Sequence, residues 1–116
     1  MAINHVQAIH EDLMITVGIG ATYSIGSDSY PYYVSEVLPK GIYGLYAPKA
    51  HFEKSWTDGS MVVDKFDPTH KSSVYIKRRY GKWWEVTTNG VPIRQFTSKY
   101  HNLQFGQANA YRDPSF

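Results

Sequence analysis

A chain of 116 residues supports one domain that can bury a core without staples. It has no cysteine, which excludes a disulfide framework and a thiolate zinc site and suits a reducing compartment. The formal charge of +2 is too small to mark a nucleic-acid binder by itself, whereas an aromatic content of 16%, with ten tyrosines, suits both β-sheet and wet binding surfaces.

Ala2 to Met14 is the one stretch with a helical period. Ile3, Val6, Ile9 and Leu13 form a thin apolar stripe, with Asn4 or an earlier residue available as a cap, so a short helix and an extended arm are both open. Such a segment either packs over one end of the domain or serves as an oligomerisation arm. It lacks the long apolar run of a signal peptide or membrane span, and the expectation is a protein with no membrane partner.

The first strand signals are Gly20 to Ile25 and Tyr32 to Leu38, rich in β-branched and aromatic residues, with Gly26 to Pro31 read as the loop between them. Alternation fails in the second strand unless a β-bulge near Ser35 sets Val34 and Val37 on one side and turns Glu36 out. A turn at Pro39-Lys40-Gly41 leads into strands Gly41 to Tyr46 and Ala50 to Trp56, interrupted by Ala47-Pro48-Lys49. Thr57 to Ser60 is a turn, Ser60 to Lys65 a short strand, and Phe66 to Lys71 the least regular interior stretch, a flexible loop by composition.

Turn chemistry sets the register of residues 72 to 97. A three-residue loop at Arg79-Tyr80-Gly81 opposes Arg78 to Lys82, Ile76 to Trp84 and Val74 to Val86, which gathers apolar residues on one face. A two-residue loop at Tyr80-Gly81 opposes Ile76 to Glu85, so the longer loop is preferred. Asn89-Gly90 is the strongest hairpin signal, and a two-residue type I′ turn there pairs Val86 with Ile93, Glu85 with Arg94 and Trp83 with Phe96, and sets Pro92 against Thr87 on an edge strand. On this register Val74, Ile76, Trp84, Val86 and Ile93 face the core. Tyr75, Lys77, Trp83, Glu85, Arg94 and Phe96 share the opposite face, which is either covered by Tyr111 and Phe116 of the C-terminal segment or is an interaction surface. Tyr100 to Phe116 contains one further strand candidate, Leu103 to Phe105.

The run GIGATYSIGSDSYPYYVSEV, the basic strand YIKRRYGKWWEV and the closing FGQANAYRDPSF together resemble small proteins of tailed bacteriophages and prophages, which open on a GDGAT, SD, TVIEV-like pattern and end in a Gly, Tyr, Asp and Phe tail. The resemblance covers most of the chain after Val17. It implies a phage origin, hence the host cytoplasm, and nothing about catalysis.

The residues themselves point to no chemistry. His5, His10, His51, His70 and His101 show no ligand spacing, and no metal or other cofactor is expected. Gly18-Ile19-Gly20 fails as a phosphate loop, because Tyr23 stands at the third glycine position and no Lys-Ser or Lys-Thr follows. Ser24, Ser27 and Ser29 lack a nucleophile elbow, and Asp58, Asp64 and Asp67 lie in or beside loops without a recognisable partner set, as solvated turn residues do.

One constellation is distinctive. Lys71, Lys77, Arg78, Arg79 and Lys82 occur without an acid among them, interleaved with Tyr75 and Tyr80 and followed by Trp83. Cations for phosphates and flat rings for bases suit a nucleic acid or a nucleotide; the same residues also suit a solvated hairpin that guards a sheet edge. The candidate ligand-binding residues are Tyr75, Lys77, Arg79, Tyr80, Lys82, Trp83, Arg94 and Phe96.

The expected fold is all-β: a small, strongly bent, SH3-like or related β-barrel over residues 15–108, with a short N-terminal helix or arm over 1–14 and a tail over 109–116. The expected function is a non-enzymatic binding module acting on a nucleic acid, a nucleotide signal or a host defence protein. The alternative is a virion accessory or homo-oligomeric building block that assembles through the Trp83/Phe96 face or the termini.

Overall fold

The computed structural model describes residues 15–52 and 60–112. The expected helix or arm over 1–14, most of the strand ending at Trp56, most of the turn before Ser60, and Phe116 lie outside them. The described residues form an all-β, barrel-like antiparallel sheet with no α-helix: β1 (Gly20–Ile25), β2 (Asp28–Leu38), β3 (Ile42–Tyr46), β4 (Ala50–His51), β5 (Ser60–Val63), β6 (Val74–Arg79), β7 (Lys82–Val86), β8 (Pro92–Gln95), β9 (His101–Gly106) and β10 (Ala110–Tyr111). The strand order is β4-β5-β10-β2-β3-β6-β7-β8, with β1 paired to both β2 and β9. The sheet therefore reaches Tyr111, past the expected tail boundary.

β2 is the strand around which the sheet turns. Its first half pairs with β1, from Ile25↔Asp28 to Gly20↔Tyr33, and its second half pairs with β3, from Tyr33↔Tyr46 to Leu38↔Ile42. The expected loop before Pro31 shrinks to the two-residue turn Gly26-Ser27, because Pro31 is tolerated inside the strand, opposite Thr22. The Val34 N–H bonds to Ile19 C=O on the β1 side. By alternation the absent Pro31 N–H falls on the other edge, between the end of the β3 ladder and the single β10 pair at Ser29. The bulge expected at Ser35 is present, as a register shift between Val34 and Glu36. It bends β2 between the two halves of the sheet.

The β6–β7 hairpin departs from the expected register. Its ladder runs Arg79↔Lys82, Arg78↔Trp83, Lys77↔Trp84, Ile76↔Glu85 and Tyr75↔Val86, so the loop is the two-residue Tyr80-Gly81, with φ of 53° and 76° as a type I′ turn requires. Trp83, not Trp84, then lies on the inner face with Ile76. At β7–β8 the roles are exchanged. Gly90 takes φ 89° while Asn89 does not go positive, the Gly90 N–H bonds to Thr87 C=O, and the Thr87 N–H bonds to Val91 C=O, which encloses a three-residue loop. Glu85↔Arg94 is as expected, but Val86 opposes Pro92 and Ile93 is the bulged extra residue, half exposed rather than in the core. β8 ends the sheet, as its proline predicts.

The main core lies inside the curl: Ile15, Ala21, Val34, Leu45, Ile76, Trp83 and Leu103, with Tyr23, Tyr43, Phe96 and Phe105 packed against them. Aromatic contacts join the two halves, Trp83 to Phe105 at 5.3 Å and Tyr23 to Phe96 at 4.6 Å between ring centroids. The Tyr23 hydroxyl donates to Phe96 C=O at 2.7 Å. A smaller apolar layer sits on the outer face, where Ile42 and Val86 are 1% and 2% exposed beneath the β7–β8 loop. A Cβ at Gly90 would stand 3.5 Å from Ile42 Cδ1, so the loop folds directly over this layer. Val86 is buried as expected, but on the opposite face from Ile76.

The irregular stretch after β5 is anchored. The Asp67 N–H donates to the Tyr46 hydroxyl at 2.7 Å, Phe66 packs edge-on to Tyr33, and His70 stacks on Tyr46 at 4.2 Å. Asp67 Oδ1 accepts from the Thr69 hydroxyl at 2.6 Å and the Thr69 N–H at 2.9 Å. These bonds hold the Asp67 carboxyl below the usual carboxylate range.

Candidate nucleic-acid interface

The observed register divides the predicted site residues between two faces. Alternation along β6 and β7 places Tyr75, Lys77, Arg79, Lys82 and Trp84 on the outer face. Arg78, Trp83 and Glu85 are on the inner one. Trp83 is 7% exposed and belongs to the core, so its ring is not presented to a ligand or a subunit, and Phe96 is half-buried against the same core. Arg94 is held by Glu85, with Nε 3.3 Å from Oε1, on the inner side of the ladder and away from Lys77. The single face expected for Tyr75, Lys77, Trp83, Glu85, Arg94 and Phe96 is therefore not formed.

A tighter group takes its place. Lys77 lies directly across from Trp84, and Arg79 directly across from Lys82, so three cations and a half-buried indole share one strip of the hairpin. Like charges opposed across a ladder are mutually unfavourable. Among the described residues none of these three cations makes an ion pair. The carboxylate on the same face, Glu36, accepts from the Tyr75 hydroxyl at 3.3 and 3.4 Å instead. The β2–β3 turn opens beside this hairpin, because Ile42 pairs with Lys77, and it carries the exposed Lys40 at the same end of the sheet.

At the tip stands Tyr80, 90% exposed, with the Arg79 guanidinium 5.7 Å from its ring centroid. Its φ of 53° is a conformation that a bulky residue adopts at a cost and that Asn or Gly adopts easily. On the other face the exposed Arg78 guanidinium lies 5.7 Å from the Trp83 ring centroid.

Lys40 and Trp84 are the site residues that sequence reasoning missed. The signal for Lys40 was its place in a tight turn, which shows charge but not which hairpin it stands beside. For Trp84 it was the choice of loop length, on which the face of the residue depends.

No group of three His, Asp or Glu side chains able to hold a metal occurs among the described residues. No helix among them is long and apolar enough to cross a membrane. No family model, no curated protein and no solved structure matches the chain.

Proposed function

We propose that the chain is a non-enzymatic binding module of bacteriophage type, acting in the host cytoplasm, whose β6–β7 hairpin takes single-stranded nucleic acid. The observation that carries this reading is Tyr80: a fully presented ring held at positive φ, where Asn or Gly would be more stable, beside three cations on one face that make no ion pair among the described residues. Strain kept at an exposed position is best explained by a contact that the ring makes. In this reading Lys77, Arg79 and Lys82, with Lys40 beside them, face successive phosphates, and Tyr80 stacks on a base. Trp84 forms the floor under the cations rather than a free stacking surface. The building-block alternative loses the Trp83 ring, which is in the core, and keeps the half-buried Phe96 and the termini.

The test is fluorescence anisotropy with single-stranded DNA and RNA oligonucleotides at several salt concentrations. Replacing Lys77, Arg79 and Lys82 by Ala should weaken binding and reduce the salt slope by about 2, since each single-strand phosphate contact contributes roughly 0.7. Tyr80→Ala should weaken binding by about 1 to 3 kcal/mol and leave the slope nearly unchanged. Absence of binding by the parent protein at low salt overturns the proposal.

A further inference from the structure

A second surface lies on the outer side of β1 and β9, where alternation places Gly20, Thr22 and Ser24 beside Asn102, Gln104 and Gly106. After β9 the chain crosses back over β1 and is held down there. Gly20 has no Cβ, and one placed there would run into the Ala108 backbone nitrogen and stand 2.9 Å from the Gln107 carbonyl carbon. The Thr22 hydroxyl donates to Gln107 C=O at 2.6 Å and accepts the Asn109 N–H at 3.0 Å. The 106–109 segment is thus a fixed ridge.

A cleft opens on each side of it. The first, about 530 Å³, is lined by Thr22, Ser24, Ser29, Gln104, Gln107 and Asn109. The second, about 510 Å³, shares Gln107 and Asn109 and adds Tyr33, Met61 and Val63. Among the described residues no side chain lining either cleft ionises near neutral pH.

The neutrality of these clefts selects their ligand. Among the described lining residues an anion would find no cation, a cation no carboxylate, and the phosphates of a nucleotide no positive partner. An apolar ligand would bury amides and hydroxyls without partners. A neutral, hydroxyl-rich ligand satisfies them, because each Gln or Asn side chain offers a carbonyl acceptor and two N–H donors to adjacent hydroxyls. The size of each cleft is in the range of small-molecule sites, and the second supplies an aromatic ring and two apolar side chains for the C–H face of a sugar. We propose that the paired clefts bind a neutral oligosaccharide, with one sugar unit on each side of the Gln107–Asn109 ridge. This site is separate from the basic hairpin, and its success or failure leaves that reading unaffected.

The experiment follows the side-chain amide resonances of Gln104, Gln107 and Asn109 by NMR during titration with maltose, cellobiose and N,N′-diacetylchitobiose. At least one disaccharide should shift these resonances at millimolar concentration. Gln104→Ala and Asn109→Ala should each weaken that binding roughly three- to tenfold, as expected for one neutral hydrogen bond. Both residues are exposed, so the variants should keep the parent's backbone spectrum, and Ser24→Phe, which fills the first cleft, should abolish binding independently. The proposal is overturned if none of the three disaccharides moves these amides, if the variants bind as tightly as the parent, or if an oligonucleotide or peptide moves the amides instead.

Discussion

The adjacent tryptophans have opposite roles. Trp83 is buried at 7% exposure between Tyr43 and Phe105, and its backbone N–H donates to the Thr97 hydroxyl at 3.0 Å, so it ties β7 to the segment after β8 and to the far half of the sheet. Trp84 is half-buried on the outer face, and its indole Nε1 is shielded from solvent without a hydrogen-bond partner. A buried donor without an acceptor subtracts from whatever stability the ring contributes. Trp83→Ala is therefore expected to cost about 3 to 5 kcal/mol, as for a large aromatic removed from a core, and Trp84→Ala clearly less. Trp84→Phe, which removes the unpaired N–H and keeps most of the ring, should fall within about 1 kcal/mol of the parent. Urea midpoints of the three variants decide this. A greater loss for Trp84→Ala than for Trp83→Ala would show that the two-residue loop register is not the one populated in solution.

The two hairpins of residues 74–95 show what a local reading of sequence can and cannot reach. That both are hairpins, that Gly81 and Gly90 lie in their loops, that Glu85 meets Arg94 and that Ser35 is bulged are all legible, because each depends on residues within a few positions of one another. The loop lengths are not legible. Choosing a register that gathers all apolar residues on one face assumes a sheet with one buried face, whereas this sheet buries Ile76 inside and Val86 with Ile42 outside. The outer layer exists because the β7–β8 loop folds over β3, a contact between distant segments that hairpin chemistry does not encode. The candidate site follows the same rule: the cations Lys77, Arg79 and Lys82 and the ring of Tyr80 could be read from spacing, but the choice of Trp84 over Trp83 and the approach of Lys40 needed the observed pairing. The turns give a paired prediction. Tyr80→Asn relieves a bulky residue at φ 53° and should raise stability by about 0.5 to 1 kcal/mol, whereas Gly90→Val forces a β-branched residue to φ 89° and should lower it by more than about 1 kcal/mol. Denaturant midpoints that move in the same direction for both would contradict the turn types seen here.

At the scale of the whole molecule, the barrel is held shut by side chains rather than by a ladder. Among the described residues no strand pairing joins β8 to β9, and the two ends of the curl meet through Trp83 on Phe105, Tyr43 on Phe105 and Tyr23 on Phe96. Stability should then be graded across the sheet. β2, β3 and β6 have neighbours on both edges, and the Val34 N–H bonds to Ile19 C=O at a residue with no exposed surface, so opening it requires the core to open. Among the described residues β8 has one neighbour, and it carries a bulge at Ile93 and four exposed residues, so it can detach while the aromatic contacts stay in place. Native-state hydrogen exchange should therefore find the Val34 amide exchanging only through global unfolding, with a rate that rises steeply with denaturant. The amides of β8 should exchange through local opening, faster and nearly independent of denaturant. If the β8 amides exchange as slowly as Val34, the curl is closed in solution by a contact on the β8 edge beyond the pairings seen here, and the division between a rigid centre and a detachable edge does not hold.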